Sequence, residues 1–211
     1  MADMTQPDQA TGPQTVPAHR YDRETMEFGR VLNLSDGVFA IALTLLVLTL
    51  DSLDIAALAT FALAFFLVAN VWWQHHRICA QLAWIEPGLI AINLGLLAGV
   101  ALVPFPTSLV GADPASRAAV LPFLGLFVAL SLLSILMILR AQHLGAWRRS
   151  LPDRLFRWVV GDWGANLLVL VGCLVVAVWA PLPGLGLLVV GSTVHTLAAA
   201  RVGPPERRGW F

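Results

Sequence analysis

Two polar residues that could do chemistry, Ser35 and Asp36, lie inside an apolar segment, 30–50, that is long enough to span a bilayer. An ionised carboxylate in a spanning helix costs about 2.5 to 3.5 kcal/mol on insertion scales, so Asp36 should face protein or water rather than lipid. We therefore expect Asp36 to have a polar partner elsewhere in the chain and to belong to a site that matters for function.

The best source of such partners is the segment 72–77, WWQHHR, together with Asn93. An imidazole, an indole N–H or an amide would satisfy the carboxylate of Asp36. Two successive helical residues diverge by about 100°, so His75 and His76 are badly placed to chelate one metal ion. We expect a clamp between helices and no metal. Because histidine titrates near neutrality, a proton relay is the main alternative that these residues leave open, with a metal site as a third.

The elements that must position these side chains are membrane-spanning helices. Hydrophobic residues make up 58% of the 211-residue chain, charged residues only 12%, and the mean hydropathy is +0.76. Apolar runs of spanning length predict an all-α, polytopic membrane protein with six helices per chain. The predicted spans are 27–50, 55–83, 88–110, 117–141, 155–180 and 184–200.

The arginines are distributed unevenly along this pattern. All 13 basic residues are Arg, and with six spans all but Arg117 fall on the side of the two termini. The positive-inside rule then predicts that both termini are cytoplasmic. The Arg-rich connection 140–157 fits topological anchoring and would also suit anionic lipid headgroups.

The chain divides into one membrane domain and two tails. We expect 1–23 to be a disordered cytoplasmic tail, 24–200 the six-helix transmembrane domain, and 201–211 a cytoplasmic tail. The two cysteines are not expected to form a disulfide. Nothing in the sequence suggests nucleic-acid binding or a cofactor.

The first helix carries an apolar stripe as well as the acid. With Ile41 at zero and about 100° per residue, Leu45 falls near 40°, Leu48 near 340°, Thr44 near 300° and Asp36 near 220°. The stripe and the acid therefore face different ways. Periodicity alone is compatible with ordinary helix packing and does not demonstrate a pore.

The segment Arg30-Val31-Leu32-Asn33-Leu34-Ser35-Asp36, with Thr44-Leu45-Leu46 downstream, resembles the R-x-x-x-F-S-D signature of the transmembrane protein 175 family of endolysosomal potassium channels, in its bacterial form. Trp73 with 75–77 resembles that family's W-x-H-H-R pattern, and Asn93-Leu94 followed by 104–108 resembles its third helix. Leu34 stands where the signature has Phe, which keeps an apolar residue but removes aromatic stacking.

This resemblance implies a homotetramer whose first helices line a potassium-permeable, potassium-preferring leak channel in the cell membrane. It implies a constriction formed by Ile41, Leu45 and Leu48, with the Thr44 hydroxyl beside it. The sequence has no T-V-G-Y-G segment, so a filter of backbone carbonyls is not expected. K⁺ would be the permeant ion, and the partners would be further copies of the chain and membrane lipid. The expected motif and clamp residues are Arg30, Leu34, Ser35, Asp36, Trp73, His75, His76 and Asn93.

Two other classes of function compete with a channel. A proton-coupled secondary transporter, or a proton pathway, could use Asp36 with His75 or His76, although the sequence has no internal repeat and no paired broken helices. We do not expect an enzyme, because neither G-x-S-x-G nor H-E-x-x-H occurs and adjacent Ser35 and Asp36 diverge on a helix.

Overall fold

The computed structural model describes residues 19–52, 54–149 and 152–202. Most of the two predicted tails, 1–18 and 203–211, lies outside the described residues. The elements are β1 (Tyr21–Asp22), α1 (Met26–Leu45), a 3₁₀ helix (Leu46–Thr49), α2 (Ile55–Gln81), β2 (Trp84–Ile85), α3 (Pro87–Leu102), α4 (Pro104–Ala112), α5 (Arg117–Leu144), α6 (Asp153–Trp179) and α7 (Pro181–Val202).

These helices form six segments that are long and apolar enough to cross a membrane, which confirms the predicted fold class. The third segment differs from the prediction because it is two helices, α3 and α4, joined at Val103. Pro104 lacks the N–H that a continuous helix would need there and its ring crowds the preceding turn. The last segment is longer than predicted, because Pro181 begins a helix readily at a first-turn position.

Side-chain caps define where the helices start. Thr25 accepts a hydrogen bond from the Phe28 N–H at 3.4 Å, and Asp54 accepts one from the Ala57 N–H at 2.8 Å. Each cap satisfies an amide that has no partner inside its helix. The Ala57 N–H and the Ser52 hydroxyl lower the pKa of the exposed Asp54 carboxyl, because both donate to its charged form.

The helices pack around two apolar clusters. One includes Phe39, Leu96 and Phe123, and the other includes Phe28 and Leu89. Helix α3 contacts both α1 and α5, α5 contacts α6, and α6 contacts α7. The first helix therefore lies at one edge of the bundle, where the rest of the chain covers only one of its faces.

A strap of backbone closes the end of the bundle at which α2 finishes. Tyr21 and Asp22 pair with Ile85 and Trp84 as two short antiparallel strands. The guanidinium of Arg23 donates to the carbonyl oxygens of Cys79, Ala80 and Leu82 at 3.0 to 3.3 Å, which satisfies the last turn of α2. Residues 19–23 of the predicted disordered tail are thus ordered, since these carbonyls and strand edges give the segment fixed partners.

Candidate pore helix and interhelical clamp

Helix α1 has one buried face and one uncovered face. The buried residues lie within about 60° of each other on the helical wheel, between 100° and 160° from Ile41; they are Phe28, Ser35, Phe39 and Ala42. The opposite face carries Arg30, Leu34, Ile41 and Leu45, all of which are exposed. Nothing in the described part of this chain covers that second face.

The proposed constriction residues lie on the uncovered face. Ile41 is 60% exposed, Leu45 is 40% exposed and Leu48 is 73% exposed. Because the chain tightens into a 3₁₀ helix from Leu46 to Thr49, residues three apart eclipse each other, so Leu48 is directly above Leu45. The rise per residue in each type of helix then separates the three side chains by about 6 Å per step.

The hydroxyl of Thr44 is turned back on its own helix. It donates a hydrogen bond to the carbonyl oxygen of Ile41 at 2.8 Å, while the residue itself is exposed. The donated proton leaves the oxygen lone pairs free to accept from water or to contact a cation. Thr44 therefore offers an acceptor at the level between Ile41 and Leu45.

A directional chain of hydrogen bonds joins α2, α3 and α1 on the buried side. The His75 Nε2 lies 2.7 Å from Asn93 Oδ1, the Asn93 amide donates to the Ser35 hydroxyl oxygen at 3.0 Å, and that hydroxyl donates to the Val31 carbonyl at 2.9 Å. Since Asn93 Oδ1 can only accept, the His75 Nε2 carries the proton. Every donor along this chain has an acceptor.

The three side chains of this clamp are enclosed by the protein. Ser35 is 1% exposed, and His75 and Asn93 are each 2% exposed. The ring of Phe39 lies 5.5 Å from the imidazole, and the Cys79 thiol is 3.6 Å from its Nε2. The clamp thus ties the buried face of α1 to α2 and α3.

Asp36 pairs with Trp72, which lies in the segment 72–77 but is not one of the expected clamp residues. The indole N–H of Trp72 donates to Asp36 Oδ1 at 3.0 Å, whereas Trp73 is 51% exposed. His76 is exposed and contacts the rings of Trp72 and Trp73, at 5.5 and 6.1 Å between centroids. The structure therefore brings Ser35, His75 and Asn93 together, and puts Asp36 in a separate pair with Trp72.

Arg30 and Leu34 take no part in either group of contacts. Both are exposed on the uncovered face of α1, and Leu34 lies within about 20° of Ile41 on the wheel. The signature position that is Phe in the family therefore faces the same way as the apolar stripe. Among the described residues, no group of three His, Cys, Asp or Glu side chains could hold a metal ion.

Helix α3, which carries Asn93, is fixed at its start by Glu86. The carboxylate accepts from the Leu89 N–H and from Arg140 Nε, both at 3.1 Å. Burial by itself raises the pKa of Glu86, but the N–H groups of Gly88 and Leu89 and the Arg140 charge outweigh it, so the pKa is lowered. Glu86 is thus a charged N-cap that ties α3 to α5.

This six-helix arrangement has a known counterpart. The structure matches the crystal structure of a lysosomal potassium-selective channel TMEM175 homolog from Chamaesiphon minutus with a TM-score of 0.70 at 23% identity. The match covers 83% of this chain and 99% of that one. The fold therefore defines an α-helical membrane protein of the same architecture as that channel.

Part of the chain resembles known proteins in sequence. Residues 30–104 match the family model of the endosomal/lysosomal potassium channel TMEM175, a region that includes the signature, the clamp, the second span and helix α3. A potassium channel of Streptomyces collinus is 32% identical over 124 residues, 50% of this chain and 60% of the relative. A potassium channel of Chamaesiphon minutus is 36% identical over 129 residues, 52% of this chain and 63% of the relative. Residues 30–104 are therefore similar in sequence to the TMEM175 family, and the chain is similar to two bacterial potassium channels.

The matched regions span about three-fifths of the length of these two relatives. Their names describe transport of an ion and not an enzymatic reaction, in agreement with the absence of catalytic motifs from the sequence.

Proposed function

We propose that this protein is a potassium-permeable, potassium-preferring leak channel formed by four copies of the chain. The observation that carries the proposal is the uncovered face of α1, on which Ile41, Leu45 and Leu48 stack in line. A single chain supplies one such face, so fourfold cyclic symmetry would close a pore around it. The names of the relatives and the shared fold support a potassium channel, and the number of four copies is what the family resemblance implies.

The proposed constriction selects through the cost of dehydration. Four copies of each side chain would make three aliphatic rings, about 6 Å apart along the axis. Such rings offer an ion no replacement for its water shell, and Na⁺ holds its shell more strongly than K⁺ does. The rings should therefore favour K⁺ modestly, and they can close by dewetting.

The clamp would hold the pore helix without touching the ions. Ser35, His75 and Asn93 lie on the buried side of α1, and the pair of Asp36 and Trp72 flanks it. In this proposal, loss of the clamp weakens assembly before it changes selectivity. His75 is enclosed and already hydrogen-bonded, which favours a structural role over a proton relay.

The proposed setting is the cell membrane, with both termini in the cytoplasm. The side of the bundle that carries β1, β2 and the connection between α5 and α6 also carries most of the arginines. These cations would lie against anionic headgroups of the inner leaflet.

The test is ion flux from liposomes that contain the purified protein. K⁺-loaded and Na⁺-loaded vesicles are compared with a potential-reporting dye for the natural protein, for Ile41→Asn, and for Leu168→Asn as a matched control. Leu168 is 72% exposed on α6, away from the proposed pore. We expect faster K⁺ flux from the natural protein, a reduced K⁺ preference in Ile41→Asn only, and no need for a proton gradient. Flux that occurs only with a proton gradient, in fixed proportion to it, would instead establish a transporter.

A further inference from the structure

A groove and a polar pocket lie side by side at membrane depth, away from the proposed pore. The groove, of about 620 Å³, runs between α2 and α7 and is lined mainly by apolar side chains such as Ala62, Phe66, Val189 and Leu197. Its volume falls within the range of about 300 to 1,000 Å³ that is typical of small-molecule sites. All its lining residues lie in two membrane-spanning segments, so the groove is open to lipid rather than to water.

The pocket beside the groove is polar. It has a volume of about 30 Å³ and is enclosed by α2, α5, α6 and α7. Amides and hydroxyls contribute to the wall; they belong to Asn70, Gln74, Ser131, Ser134, Asn166 and Ser192. Within the described part of the chain, the amides of Asn70, Gln74 and Asn166 have no hydrogen-bond partner in the protein.

The groove and the pocket are parts of one site. Leu67, Asn70 and Ser192 line both, so a molecule in the groove reaches the polar pocket directly. In hydrocarbon, an amide without a partner costs free energy, which a polar ligand group would recover. The pocket has room for about one water molecule or one small polar group.

We propose that this site binds an uncharged membrane amphiphile, with its acyl chain in the groove and one hydroxyl group of its head in the polar pocket. A neutral monoacylglycerol has this chemistry. Neither part of the site is lined by Asp, Glu, Lys, Arg or His, so an ionised head would be left without a counter-charge at membrane depth. The site is independent of the pore face of α1 and of the clamp.

The test uses photoreactive lipid probes on the full protein in phosphatidylcholine liposomes. A 1-monooleoylglycerol analogue with a diazirine in its acyl chain is compared with the matching oleic acid analogue at a pH where the acid is ionised. We expect labelling of α2 and α7 by the glycerol ester, displaced by unlabelled monooleoylglycerol, and at least about fivefold less labelling by the acid, which corresponds to about 1 kcal/mol.

Two pairs of variants separate the parts of the proposal. Val189→Trp fills the groove and should reduce labelling at least about fivefold, whereas Val190→Trp, at an exposed neighbouring position outside the lining, should leave it within about twofold. Asn166→Leu should abolish the preference for the ester over the acid, and Ser108→Ala, at a distant site, should not.

Three results would overturn the proposal. Equal labelling by the ester and the acid would mean that the groove holds acyl chains without recognising the head. Equal labelling in Val189→Trp and Val190→Trp would mean that the groove is not the site. Dissociation of the tetramer in Val189→Trp alone, without labelling of the natural protein, would mean that a second copy of the chain fills the groove.

Discussion

Replacing both ends of the bond between His75 and Asn93 should cost less stability than the sum of the two single replacements. In Asn93→Leu the buried His75 Nε2–H loses its acceptor, while the Ser35 hydroxyl keeps its bond to the Val31 carbonyl. In His75→Phe the Asn93 carbonyl oxygen loses its donor instead, and the ring contact with Phe39 is retained. In the double variant no member of the pair is left without a partner.

The size of the effect follows from burial. A buried polar group without a partner costs about 1 to 3 kcal/mol, and both groups are 2% exposed. Hydrogen bonds between membrane helices average about 0.6 kcal/mol and reach about 1.7 kcal/mol, which points to the lower half of that range. We expect about 1 to 2 kcal/mol for each single variant and a double variant that is more stable than the sum predicts by about 1 kcal/mol.

The assay is reversible unfolding of the purified protein in mixed micelles by titration with sodium dodecyl sulfate, followed by tryptophan fluorescence. Thr107→Val provides a matched control, because this buried hydroxyl donates only to the Val103 carbonyl of its own helix segment. Its effect should add to that of His75→Phe within about 0.5 kcal/mol. If the stability losses of His75→Phe and Asn93→Leu also add within about 0.5 kcal/mol, the two residues are not coupled and the prediction is wrong.

Three further predictions concern the surroundings of the clamp and the topology. Trp72→Phe removes the donor to Asp36 and should lower the thermal stability of the purified protein more than Trp73→Phe does, with the K⁺ to Na⁺ flux ratio within about twofold of the natural one in both. Because the pKa of Glu86 is lowered, its contribution to stability is present above pH 4.5 and is lost as the pH falls through the lower folded-state value. The natural protein should be more stable than Glu86→Gln by about 1 kcal/mol at pH 7, and a difference in stability that does not narrow on acidification below pH 4.5 would contradict this. An impermeant maleimide should label Ser52→Cys on intact cells and His143→Cys only after permeabilisation, because the two positions are exposed on opposite sides of the proposed topology. The two natural cysteines are buried and should react little. The reverse labelling pattern would mean that the topology is inverted.

Local sequence patterns predicted the membrane spans and the faces of α1, but not every ordered segment. Hydropathy and length determine the six spans, and the 3.6-residue period identifies the stripe of Ile41, Leu45 and Leu48 and separates it from Asp36. These features depend on residues close in sequence, so no knowledge of neighbouring helices is needed. The same local rules missed the ordered strap at residues 19–23, because its partners lie about 60 residues away.

The partners of the polar residues were decided by the tertiary structure. Trp72 and Trp73 differ by about 100° around α2, so the rotation of that helix against α1 determines which indole reaches Asp36. The depth of α3, set by the Glu86 cap and the break at Val103, brings Asn93 to His75 and Ser35. The sequence by itself determined that this is a six-span membrane protein with a polar cluster near the start of its first helix. Which side chains bond to each other, and which face of α1 stays uncovered, depended on how the helices rotate and slide against one another, because hydrogen bonds between helices require distances that local periodicity does not fix.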